Sequence, residues 1–372
     1  MRIARRDVLR LAAGAMAWPL TPAAGHASAP DKLYLSARAD PGGGFRVSAF
    51  SAQGRKVLDQ PLPARGHAFA LHPGARTAVH FARRPGRFAR VLRLHAGTAA
   101  QDFAPPDNRR FNGHGVFSGD GRLLYASEND FDAARGAIGI YDACDGWRRV
   151  GELPSHGTGP HDIRLHPDGN TLVVANGGIH THPDMPRMKL NVPTMQPSLV
   201  YLDRRDGRLI ARHELDAAYH QLSIRHLALG RDGAVAVAMQ YVGPAGERMP
   251  LVGIQTGWRG IRLLDTPGHV LRDMKQYTGS AAFDSAGRVL AVSAPRGNLY
   301  AFWDAPSGEL LSTVSIPDGS GIAPAGARAR FLASSGRGGA CLVDGRSGVF
   351  EPLRSPFLEA GRWDNHLLAI NA

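Results

Sequence analysis

Apolar residues along this chain come in short runs, the main ones entered from a glycine or Asp-Gly turn, and none keeps the 3.6-residue spacing of an amphipathic helix. Runs at 77–81, 123–127, 171–175, 234–238 and 289–293 read as buried strands. Shorter runs follow most of them, for example at 137–141 and 147–150. Four short strands in every 40 to 50 residues, punctuated by tight turns, is the pattern of a β-propeller, in which each unit becomes one blade.

The units carry a recurring phrase. His67, His114 and His161 stand 47 residues apart, and each opens a first strand that leads to a turn at Gly74, Gly121 or Gly169. His226 repeats the phrase up to Gly233, and His366 reopens it near the C-terminus. Ser280 takes the equivalent place in a fifth unit, and a sixth begins near Gly319 with a weak signature. The unit at His366 supplies one strand, 367–370, before the chain stops, while unassigned strands remain at 33–36, 45–49 and 57–60. Pairing these with the last strand gives an all-β, seven-bladed propeller over residues 30–372, closed from both termini so that no open edge is left.

The first strands of a propeller line its channel, so this register gathers His67, His114, His161, His226 and His366 at one channel mouth. The ends of the second strands belong to the same face and carry Arg83, Arg84, Glu128, Asp130, Asn176 and Gln240. An insertion from Asn176 to about Pro197 leaves that face; its prolines and methionines predict an ordered lid, and it brings His180, His182 and Asp184. Imidazole is the commonest metal ligand and the usual proton carrier near neutral pH. Nitrogen donors with carboxylates nearby suit iron, copper, zinc or manganese. On this reading the five ring histidines hold a transition metal, Glu128 and Asp130 offset its charge, Asn176 and Gln240 support the site, and His180 and His182 close it.

The histidines have other readings. They could tie neighbouring blades together, leaving the ring face as a docking platform. Alternatively His114 or His161 could be the general base of a lactonase-like or oxidoreductase propeller whose arginines hold an acidic substrate. The chain has no haem-attachment Cys-His motif, Walker loop or Gly-x-Ser-x-Gly elbow. Cys144 and Cys341 fall in different units and read as small packing residues.

Residues 1–29 read as an export signal of the twin-arginine type, with Arg5 and Arg6 before a short apolar run and small residues at Ala27 and Ala29. A periplasmic protein is the expectation. The net charge of +12 falls to +9 without that segment, and the arginines are scattered with no aromatic interleaving, which argues against nucleic acid as a partner. No apolar run has the length of a membrane-spanning helix.

Several phrases carry a family resemblance: Phe111 to Ser118 around His114, Glu128 with Asp130, Gly157 to His161, Val174 to Pro183 across His180 and His182, Gln221 to His226, and Trp363 to His366. Together they resemble the domain of unknown function 1513 family, a group of exported bacterial propellers, over essentially the whole chain after the signal. The resemblance implies neighbours that are imelysin-like or di-haem, peroxidase-like proteins, and with them a setting of periplasmic iron handling. It implies no particular reaction.

Overall fold

The computed structural model describes residues 32–84, 86–94, 101–185 and 188–370; the export-signal expectation for residues 1–29 lies outside them. The chain folds into seven four-stranded antiparallel sheets. Their first strands are Gly66–Leu71, Arg109–Phe117, Pro160–Leu165, Leu222–Leu229, Ser280–Phe283, Gly319–Pro324 and Arg362–Ile370, which define blades 1 to 7. Successive first strands touch one another all the way round, blade 7 against blade 1 included, so they form the wall of a central channel.

Burial explains the sequence pattern. Second strands such as Thr171–Asn176 and Val289–Ala294 are covered on both faces by the neighbouring blades and are buried at every position, as their unbroken apolar runs require. Outer strands such as Leu209–Glu214 are exposed or half-buried throughout, and their sequence turns polar. The turns joining first and second strands reverse at Gly121, Gly169, Gly233 and Gly287, all with positive φ, a conformation that glycine adopts without steric penalty.

Blade 7 is assembled from both ends. The strand Arg362–Ile370 pairs antiparallel with Leu33–Ala39, which is followed outward by Phe45–Ser51 and Lys56–Leu62. The Ser36 hydroxyl donates to the His366 carbonyl at 2.7 Å across this seam. Closure therefore fixes the backbone at one of the channel histidines.

Candidate metal centre in the channel

Each histidine owes its direction to an irregularity in the first strand. Pairing with the second strand slips between Gly66 and Phe69 in blade 1, between Phe111 and Gly115 in blade 2, and between Pro160 and Asp162 in blade 3. It slips again between Ile224 and His226 in blade 4, and between Trp363 and Leu367 in blade 7. A bulge bends its strand and re-aims the local side chains. Here His67, His114, His161, His226 and His366 lie within or at the edge of these slips. Blade 5, with Ser280 in place of histidine, pairs from Ser280 to Phe283 without a break. Blade 6 slips between Gly319 and Ile322 and has no histidine there. At Gly113 the backbone (φ 98°) approaches His67 so closely that a Cβ would lie 2.3 Å from the ring carbon Cδ2.

The imidazoles converge inside the channel and plug it, deeper than the channel mouth. His67 and His366 have ring centroids 4.5 Å apart, His114 and His366 4.7 Å, His114 and His161 4.8 Å, and His226 lies 5.0 Å from both His161 and His366. His67, His114, His226 and His366 are buried and His161 is half-buried. Two triads, His67 with His114 and His161 and His114 with His226 and His366, each place one donor atom per residue within 4.8 Å of the others. Three ligands at about 2.1 Å from one ion are about 3.4 to 3.6 Å apart, so a triad spaced at the 4.8 Å limit closes on an ion if each donor moves inward by about 0.7 Å.

Protonation favours metal binding here. Burial, followed by the charges of neighbouring histidines and arginines, holds His67, His161, His226 and His366 well below the ordinary imidazole range, so they are neutral bases at pH 7. His67 Nδ1, His114 Nε2, His366 Nε2 and both ring nitrogens of His226 are buried without a hydrogen-bond partner. A buried polar atom without a partner costs about 1 to 3 kcal/mol, and a metal ion would remove that cost for several of them together. Asp162 sets the tautomer of the shared histidine. Its carboxylate accepts from His114 Nδ1 at 3.1 Å, which directs the Nε2 lone pair toward the cluster. The same carboxylate accepts from the backbone N–H of Leu227 in blade 4 at 2.9 Å and lies 3.1 Å from the Arg164 guanidinium. These contacts hold it ionised, below the usual carboxylate range despite full burial.

The profile of the family described as "Protein of unknown function (DUF1513)" matches residues 60–370. The chain belongs to the DUF1513 family. A search of curated proteins gives no match. Among solved structures, Kuenenia stuttgartiensis hydrazine synthase is similar over 86% of this chain and 95% of that chain, with a TM-score of 0.59 and 16% identity. At that identity the likeness shows the fold alone.

Most of the other residues expected at the centre of this DUF1513 propeller lie elsewhere. Glu128 points outward along blade 2, where it is buried between the Tyr141 hydroxyl at 2.6 Å and Arg149 at 2.9 Å. Asp130 pairs with Arg109 and Arg135 in the same blade. Both carboxylates neutralise blade arginines, so they are not free to offset charge on the axis. Asn176 is wholly buried and donates to the Ser155 carbonyl, which ties the lid's root to the preceding loop. Gln240 does reach the axial cavity and donates to the Thr278 carbonyl at 2.9 Å. Among the described residues of the lid, Asn191 accepts from His180 N–H and donates to the Gly178 carbonyl. The lid imidazoles belong to neither triad: His182 lies edge-on to Phe131 beside Asp184, while His180 leaves a buried Nε2 without a partner.

The channel opens on both sides of the plug. On the lid side a cavity of about 280 Å³ has His67, His161 and His226 in its wall, together with Arg83, Arg84, Arg225, Arg296 and Tyr277. On the other side a void of about 60 Å³ touches His226, His366 and Asp162, and a wider cleft of about 580 Å³ begins at Arg164 and Leu227. No motif in the sequence singles out Asp162, Arg225 or Arg296. Asp162 directly follows the histidine of its phrase and Arg225 directly precedes one, a position from which a bulged first strand sends adjacent side chains toward the axis.

Among the described residues no helix is long and apolar enough to cross a membrane.

Proposed function

We propose that this protein binds a transition metal ion, iron in its native setting, at the five-histidine plug, and that it acts in the periplasm in metal uptake or delivery. The observation that carries the reading is the set of unpartnered imidazole nitrogens converging on the axis in two triads that share His114. Neutral imidazoles suit iron, copper, zinc and nickel. The twin-arginine signal read from residues 1–29 supports the compartment, and the resemblance-based link to imelysin-like or di-haem proteins supports iron and suggests the partners. Cavities on both sides of the plug offer separate routes for entry and release, as a carrier needs.

Metal analysis and titration test the reading. Protein exported in its native host should carry close to one equivalent of metal, and stripped protein should regain it from ferrous iron, zinc or copper. His114→Ala combined with His366→Ala breaks both triads and should weaken binding at least about 100-fold, while Asp162→Asn should weaken it about 10- to 100-fold by releasing the His114 tautomer. A folded wild-type preparation that holds no metal and takes none up would overturn the proposal. A large drop in melting temperature for His114→Ala with unchanged metal affinity would instead make the histidines ties between blades.

A further inference from the structure

The lid-side cavity concentrates positive charge well beyond what the surrounding carboxylates answer. Arg83 and Arg84 follow the second strand of blade 1, whereas Arg225 comes from the first strand of blade 4 and Arg296 from the turn after the second strand of blade 5. Blades 4 and 5 lie three blades from blade 1 around the ring, so the guanidinium groups enter from opposite sides. Arg83 shares Asp364 with Arg65, at 3.5 Å and 2.6 Å respectively. Arg84 donates to the Thr181 hydroxyl of the lid at 2.9 Å. Arg225 and Arg296 have no carboxylate partner among the described residues; Arg225 Nε is buried without a hydrogen bond, and Arg296 lies 4.2 Å over the Tyr277 ring.

These cations crowd one another. Arg83, Arg84, Arg225 and Arg296 all line the one cavity, and burial, with Arg225 and Arg296 nearby, lowers Lys189 of the lid. Unanswered cations held together in a part-closed cavity are stabilised by an anion that bridges them. Neutral acceptors and donors surround them: Asn112, Gln240, Asn365 and the Tyr277 hydroxyl also line the space. A volume of about 280 Å³ falls just below the roughly 300 to 1,000 Å³ of ligand pockets for drug-sized molecules, and leaves room for more than a lone tetrahedral oxyanion.

We propose that this cavity binds a small organic di- or tricarboxylate, with its separated carboxylates taken by Arg83 and Arg84 on one side and by Arg225 and Arg296 on the other. Planar guanidinium forks match carboxylates in pairs, and the amide and phenol groups receive the ligand's remaining oxygens. The site stands on its own geometry and does not require a metal at the plug. Where the metal reading also holds, the same anion supplies negative charge beside a cation held by neutral ligands.

Isothermal titration of chelator-stripped, full-length protein with citrate, succinate, acetate and inorganic phosphate tests it. Citrate or succinate should bind at least about tenfold more tightly than acetate or phosphate, and Arg225→Gln should weaken that binding about tenfold or more. Arg296→Gln, at an exposed side chain, should do the same without disturbing the fold. No binding by any carboxylate, phosphate binding the more tightly, or equal citrate affinity in a folded Arg296→Gln variant would each overturn the proposal. Zinc titration of the same preparations keeps the two readings apart. Zinc uptake without citrate binding removes the anion site alone, and citrate binding without zinc uptake removes the metal site alone.

Discussion

At the scale of single residues, two kinds of buried histidine share this fold, and their surroundings separate them. The channel histidines face one another, whereas His80, in the second strand of blade 1, is wholly buried against Phe69, their ring centroids 4.6 Å apart, and belongs to no triad although both its ring nitrogens also lack a hydrogen-bond partner. A Cβ on Gly66 would come within 2.2 Å of His80 Nε2, so the neighbouring backbone packs closely against the ring. Burial brings its folded-state value down to about 3 from an unfolded value near 6.5. Between those values the unfolded chain takes up a proton that the folded chain refuses. The stability His80 contributes is therefore fully present above about pH 6.5 and is lost as the pH falls toward 3, at about 1.4 kcal/mol per pH unit. His80→Leu should flatten the pH dependence, reducing the loss between pH 7 and pH 5 by about 2 kcal/mol. Urea unfolding of both proteins at the two pH values measures it, and parallel curves would show that His80 is not protonation-sensitive.

At the scale of elements, the strands and their order were legible in the sequence because a propeller blade imposes one pattern seven times: buried second strands, polar outer strands and glycine turns. The bulges were not legible. They arise from how each first strand meets its neighbours round the ring, and they decide that five imidazoles meet on the axis. The same limit explains Glu128 and Asp130. Their position at the end of a second strand is correct, but alternation along the strand and the arginines of blade 2 turn them outward. The insertion was legible from its length and composition, but whether its histidines reach the axis depends on a path fixed by Asn191 and by the Arg84 contact to Thr181. Since His180 and His182 join neither triad, replacing both with alanine should leave equilibrium metal affinity within about threefold and change mainly the rates of entry and release. Stopped-flow chelator competition separates the two effects. An affinity loss as large as that expected for His114→Ala with His366→Ala would place the lid histidines in the coordination shell.

At the scale of the whole molecule, the ring is held shut by one seam that also carries a member of the candidate centre. The strand Arg362–Ile370 buries Trp363, Leu367 and Ile370 and covers the edge of Leu33–Ala39, which is buried at all but its last position. Removing it would leave a long apolar edge with unpaired backbone groups, a template for pairing between molecules. The side chain of His366 takes no part in that seam, because the hydrogen bond from Ser36 goes to its backbone carbonyl. Closure and metal binding should therefore separate. Truncation after Ala360 should lower the melting temperature by well over ten degrees or give soluble aggregates, whereas His366→Ala should melt within a few degrees of the wild type and bind metal more weakly. Differential scanning calorimetry with light scattering after gel filtration reads both. A truncated chain that stays monomeric and melts like the full-length protein would mean that the ring does not depend on its closing strand, and an equally damaged His366→Ala variant would mean that the imidazole is part of the closure.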